Sequence, residues 1–159
     1  MDLCGGHGLL AHTMLLLDNS SSSALVVDTA VPPSAQQVHQ ALMKAWPRLA
    51  GRVTFVAAPM DSVALGEGDV VVSCHACGAL TDQVLSLATA ARARVAVLPC
   101  CHDADTCDTG PLSGWVDAAM AIDAMRAVRL EQQGYRVWTQ IIPAEITLKN
   151  RLLIGAPRP

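Results

Sequence analysis

The sequence predicts an α/β fold: a mostly parallel sheet of seven strands with helices on both faces, closed by an antiparallel hairpin at its C-terminal end. Three observations predict it. Short β-branched runs alternate with segments of helical period, the pattern of βαβ units. Hydrophobic residues make up 52% of the chain and charged residues only 16%, which favours strands buried on both faces. And a glycine-rich turn, Cys4-Gly5-Gly6-His7-Gly8, stands between a short opening strand and an apolar helix.

Taken in order, Met1 to Leu3 is all that precedes the glycine turn, so the first strand is expected to be truncated, with part of it lacking from the domain. Gly8 to Asp18 reads as the first helix, and Asn19 to Ser23 as a polar stop. Ala24 to Asp28 is the second strand. Pro32-Pro33-Ser34 signals a helix entry with Ser34 as the cap, and Val38, Ala41, Leu42 and Ala45 fall on one face. Trp46-Pro47 ends that helix, because proline disfavours helical backbone in the residue before it. Val53 to Ala57 is the third strand, followed by a turn at Pro59 to Ser62, and Asp69 to Ser73 is the fourth. Ala79 to Arg92 reads as a helix with Leu80, Val84, Leu87 and Ala88 inward. Arg94 to Leu98 is the fifth strand, and residues 101–114 are a polar loop. Trp115 to Gln133 carries apolar residues at helical spacing, and Gly134 stops it. Tyr135 to Ile142 and Asn150 to Ile154 are the last two strands. No helix separates them, so they pair antiparallel.

At 159 residues the chain is expected to be a single domain, residues 1–159. A net charge of −3 supplies no basic field for nucleic acid, and one Phe, one Tyr and three Trp are thin for base stacking. No basic segment precedes the first apolar run, so no secretory leader is expected, and no apolar run is long enough to span a bilayer. Six cysteines in a chain without that leader read as reduced thiols, which places the protein in the cytoplasm.

In a parallel sheet, ligands sit outside the carboxyl ends of the strands. Two groups of residues fall there. The first is the glycine turn together with Asp28, twenty positions after Gly8. Glycines let the backbone approach a ligand closely, the following helix offers N–H groups, and a carboxylate at that distance accepts hydrogen bonds from ribose hydroxyls. The plain alternative is a connecting turn, with Asp28 merely closing it. The second group is Cys74-His75-Ala76-Cys77-Gly78 after the fourth strand and Pro99-Cys100-Cys101-His102-Asp103 after the fifth, with Cys107 beyond. Three readings stay open for it. The thiols are reduced, partly buried packing groups. Or Cys74 and Cys77, with Cys100, Cys101, His102 or Cys107, hold zinc. Or His75 or His102 serves as a base, or a thiolate of Cys74 or Cys100 as a nucleophile.

The strings His75-Ala76-Cys77-Gly78-Ala79-Leu80-Thr81-Asp82 and Pro99-Cys100-Cys101-His102 resemble a branch of the Rossmann-like class I S-adenosylmethionine-dependent methyltransferases. That branch includes the tRNA ribose 2′-O-methyltransferases acting on the acceptor stem. The resemblance runs from Asp2 to about Gly155. It implies a methyltransferase with S-adenosylmethionine as cofactor. Asp2, Gly6 and Gly8 match the family's cofactor loop, with Cys4 where a glycine is usual. Asp28 matches the acid that holds the ribose. Asp61 matches a position that contacts the adenine amino group, its alternative being a helix cap. His75 and Cys77 to Gly78 fall where the family places the methyl acceptor and the adjoining cofactor, and His75 and His102 are the implied catalytic groups. The acceptor stays open, RNA among the candidates, although no basic appendage for RNA is present. Two other readings remain: a non-catalytic or fragmentary cofactor-fold module, holding zinc through its Cys and His residues, and a dinucleotide-dependent enzyme.

Overall fold

The computed structural model describes residues 1–159. Seven strands form: β1 (Asp2–Leu3), β2 (Ala24–Asp28), β3 (Val53–Ala57), β4 (Val70–Ser73), β5 (Arg94–Val97), β6 (Tyr135–Ile141) and β7 (Arg151–Pro157). Four α-helices lie between them: α1 (Leu9–Leu17), α2 (Ala35–Ala45), α3 (Ala79–Ala90) and α4 (Ala118–Gln132). Hydrogen bonding orders the strands β3-β2-β1-β4-β5-β7-β6. The β1–β2, β2–β3 and β4–β5 pairs are parallel, whereas β7 runs antiparallel to both β5 and β6. This is the mostly parallel, hairpin-closed sheet that the sequence predicts. By internal contacts the chain divides into two compact units, Met1–Ala64 and Leu65–Pro159.

In the first unit, Ala11 and Leu15 of α1 pack with Val26, Leu49 and Val53, flanked by Leu42, Met43 and Phe55. The turn residue Gly8, at the N-cap of α1, has no side chain to satisfy the helix's first N–H groups. Asp2 does so from β1: its Oδ2 accepts the Ala11 N–H at 3.2 Å, one of the donors that a helix start leaves unpaired. Two expectations for α2 need correcting. Its buried residues are Ala35 and His39, while Ala41 and Ala45 are exposed. Ser34 makes no side-chain cap bond, because its φ of −74° and ψ of −13° are already helical. A capping serine normally sits in extended backbone, which aims its hydroxyl at the next turn.

In the second unit, Val84, Leu85 and Ala88 of α3 and Ala121, Ile122 and Leu130 of α4 are buried, as are Val71, Val95 and Val97 of the strands. Leu80, expected inward, is exposed, and Thr81 takes the inner position, its hydroxyl donating to the Ala76 carbonyl. The last helix starts later than expected. Asp117, in extended backbone, caps it by accepting the Met120 N–H at 2.9 Å, and Trp115 lies before it, exposed. Trp46 ends α2 and Gly134, at φ +84°, follows α4 as the sequence predicts.

Candidate functional site

The two groups of residues read from the sequence both form, one in each unit. In the first unit the chain leaves β1 and turns through residues 4–8. The turn is held by the Gly5 N–H on the Val27 carbonyl (3.2 Å) and the Gly8 N–H on the Gly5 carbonyl (2.8 Å). Gly8, at φ +71°, lies against the sheet: a Cβ there would come within 2.9 Å of Val26 and 3.0 Å of the Phe55 ring. Gly6 is the opposite case. Its φ is +51° and a Cβ would meet nothing within 4 Å, so its outer face is open to a ligand. Cys4, where the resemblance expects glycine, takes a left-handed φ of 56°, a strained conformation for a residue with a side chain.

Asp28 ends β2 with its carboxylate turned to this bend. Oδ2 accepts the Gly6 N–H at 3.0 Å and Oδ1 accepts the Ala30 N–H at 3.3 Å. A carboxylate offers about four lone-pair directions, so two remain for the hydroxyls of a sugar. Asp2 is buried and serves the start of α1, as described. Asp61 is exposed inside a 3-10 turn, Met60–Ser62, whose capping position is Pro59; it is not the helix cap offered as the alternative.

Beneath the turn lies a pair that the sequence reading missed. His12 is buried in α1, its Nδ1 2.6 Å from the Gly8 carbonyl and its Nε2 2.9 Å from Nδ1 of His39, and both rings pack on Phe55. A carbonyl only accepts, so His12 must carry its proton on Nδ1. Its bare Nε2 then accepts from the His39 Nδ1–H. The pair ties α2 to the carbonyl of Gly8. A second link joins His7 Nε2 to Ser34 Oγ at 2.7 Å. The spacing of Gly8 and His12, one helical turn apart, was the available signal.

Burial, reinforced by the charge His12 would carry, holds the His39 pKa below the usual histidine value of 6.5. The unfolded chain therefore binds the proton more readily than the native one. Stability from this pair is fully present above pH 6.5 and falls as pH drops toward the native value. Urea midpoints measured by circular dichroism between pH 7.5 and 5 should decline on acidification, with a shallower slope in H39Q; equal slopes would show that the pair does not titrate.

In the second unit, β4 and β5 end together, Ser73 opposite Val97. The loops beyond are joined by the Gly78 N–H on the Cys101 carbonyl, 3.2 Å. The Sγ atoms of Cys77, Cys100 and Cys101 lie within 4.8 Å of one another, and those of Cys77 and Cys100 are 3.1 Å apart. Hydrogen bonds to Cys100 and Cys101 push the Cys77 thiol up to about 12, while bonds from Cys77 and Cys100 draw Cys101 below the usual thiol value. The other expected zinc ligands, Cys74, His102 and Cys107, are outside this trio, and Cys74 is half-buried. Cys107 is buried, its sulfur 3.7 Å from Nη2 of Arg126. His102 gives its Nε2 to Asp123 Oδ1 at 2.8 Å. His75 is exposed.

Asp123 also receives Arg126 (3.1 Å) and Arg151 (2.7 Å). Arg126 is 1% exposed and reaches both oxygens of Asp82, at 3.1 and 2.8 Å, and the Gly78 carbonyl at 2.9 Å. Burial opposes its charge, but Asp82 and Asp123 outweigh that and raise its pKa. This ion cluster fixes the loop that carries Cys77. A cavity of about 150 Å³ opens beside it, lined by Pro99, His102, Lys149, Asn150 and Arg151 among others.

Residues 1–104 match the family described as a methyltransferase domain. The chain belongs to that family. The solved structures that resemble this methyltransferase domain include magnesium protoporphyrin IX methyltransferase from Synechocystis PCC 6803 with bound SAM, at TM-score 0.61 and 16% identity, covering 99% of this chain and 68% of that one. A ribosomal protein L11 methylase from Lactobacillus delbrueckii subsp. bulgaricus matches at TM-score 0.58 and 12% identity, over 99% and 69% of the two chains. A precorrin-6y C5,15-methyltransferase from Geobacter metallireducens GS-15 matches at 0.58 and 13%, over 99% and 78%. At these identities the likeness establishes the fold. The domain spans 63% of another such structure, from Streptococcus pneumoniae. Comparison with curated protein sequences finds no match.

Proposed function

We propose that this methyltransferase domain binds S-adenosylmethionine and transfers its methyl group to an acceptor. The observation that carries the reading is the Asp28 carboxylate, held against the glycine turn by the Gly6 N–H at 3.0 Å. The residues fit the cofactor. Gly6 presents an open face, and the carboxylate keeps acceptor capacity for a ribose diol. Gly6 and Gly8 shape the turn, Asp2 anchors the helix behind it, and Cys4 closes its first bend. Asp61 is assigned to the adenine amino group and His75 to the cofactor's edge and the acceptor, both on the family resemblance.

The cofactor supplies a methyl group on a sulfonium, already activated for direct displacement, so the protein's task is alignment and exclusion of water. A hydroxyl acceptor also needs its proton removed. We assign that role to His102: its Nε2 lies 2.8 Å from Asp123 Oδ1, and a carboxylate only accepts, so that nitrogen donates and Nδ1 is left to accept. No helix is long and apolar enough to cross a membrane; we propose a cytoplasmic location on the reading of the six cysteines as reduced thiols.

Isothermal calorimetry of the 159-residue chain with S-adenosylmethionine, and with its demethylated product, tests the reading. One site per chain for both ligands is expected; no binding of either at millimolar concentration overturns it.

A further inference from the structure

We propose that Cys77, Cys100 and Cys101 form a binding site for one thiophilic cation, zinc(II), distinct from the residues assigned to the methyl-transfer cofactor. Three sulfur atoms all lie within 4.8 Å of one another, on two loops that share no sequence segment. Zinc–sulfur bonds of ~2.3 Å at tetrahedral angles place sulfurs ~3.8 Å apart, inside the range the three already span, from 3.1 Å upward. Small movements of side-chain torsions close the site.

The loops are held ready for it. The Gly78 N–H bonds the Cys101 carbonyl, and Arg126, buried and paired with Asp82, bonds the Gly78 carbonyl from the other side. The backbone next to two of the three ligands is therefore fixed before any ion arrives.

Binding would form three Zn–S bonds, with each remaining S–H proton released to solvent. No electron is transferred. Three protein ligands leave a fourth zinc position for water or another exogenous donor, the coordination of a zinc that polarises what it binds rather than of a closed structural site.

The test uses the 159-residue chain, reduced and purified without zinc, titrated with zinc(II) against a chromophoric chelator. One zinc per chain is expected. C101S, at an exposed position where folding is not at stake, should weaken the affinity at least ~100-fold, the upper end of what outer-sphere partners alone contribute; C77S should do the same, and C4S should not. Cobalt(II) in place of zinc should give a sulfur-to-metal charge-transfer band that loses about a third of its intensity in C101S. No zinc binding by the fully reduced chain overturns the proposal, as does stoichiometric binding that survives in the C77S/C101S double variant. A reduced chain that binds S-adenosylmethionine but takes up no zinc would sink this proposal and leave the cofactor reading intact.

Discussion

Asp28→Ala is expected to lose measurable binding of S-adenosylmethionine, the cofactor proposed for this domain. The carboxylate is the strongest acceptor at the glycine turn, and two of its lone-pair directions are unclaimed by the Gly6 and Ala30 amides. Hydrogen bonds to a charged group contribute about 1.5–3 kcal/mol each. Two ribose hydroxyls therefore stand for about 3–6 kcal/mol, or two to four powers of ten in Kd. The variant also strands the Gly6 N–H, so some loss is structural. Asp28→Asn separates the two contributions. Its amide oxygen can still accept from Gly6 but carries no charge, and it should bind the cofactor between wild type and alanine while unfolding at nearly the wild-type urea concentration. Calorimetry and a urea curve on both variants read this out; wild-type affinity in Asp28→Ala would remove the ribose from this carboxylate.

The largest loss of stability should follow Arg126→Met. The guanidinium is fully buried and answers two carboxylates, Asp82 through a two-bond fork and Asp123 through Nη1. Removing one member of a buried pair leaves the other's charge uncompensated, at a cost of about 3–5 kcal/mol. Methionine fills similar volume, so a cavity is not the cause. Asp123 retains Arg151 and His102, and Asp82 keeps only a marginal contact with Arg129 at 4.0 Å. The deficit therefore concentrates on Asp82, and Asp82→Asn placed on Arg126→Met should recover part of the loss. Urea unfolding of the two single variants and the double gives the cycle. A loss under ~1 kcal/mol in Arg126→Met, the scale of an exposed pair, would mean the cluster does not hold the loop.

These two residues differ in how far the sequence announced them. Asp28 was legible because both its determinants are local: a β-branched run ends at it, and its distance from the glycine turn is set by one helix and one strand. The alternation of strands and helices was legible for the same reason, and the parallel order of β4 and β5 brings Cys77 and Cys100 together as expected. Arg126 was not read, although it left a trace. Ile122, Arg126 and Leu130 recur at one-turn spacing on α4 and all three are buried, so a charge interrupts an apolar stripe. Its partner Asp82 lies 44 residues away, and only packing reveals that the charge is answered. The His12–His39 pair escaped likewise, being 27 residues apart on two helices. Ser34 was misread because helix-entry composition says nothing of the backbone angles that decide whether a hydroxyl can cap. Of the thiols, composition could not say which three would converge; that depends on how the loops after β4 and β5 turn.

The central claim, that the bend at residues 4–8 and the carboxylate of Asp28 hold the adenosyl group, is tested most directly by a crystal structure of the chain with S-adenosylhomocysteine. The account predicts the ribose hydroxyls within hydrogen-bond distance of the Asp28 oxygens and the amino-acid end along the open face of Gly6. A nucleoside seated elsewhere, with Asp28 bonded only to Gly6 and Ala30, would contradict it.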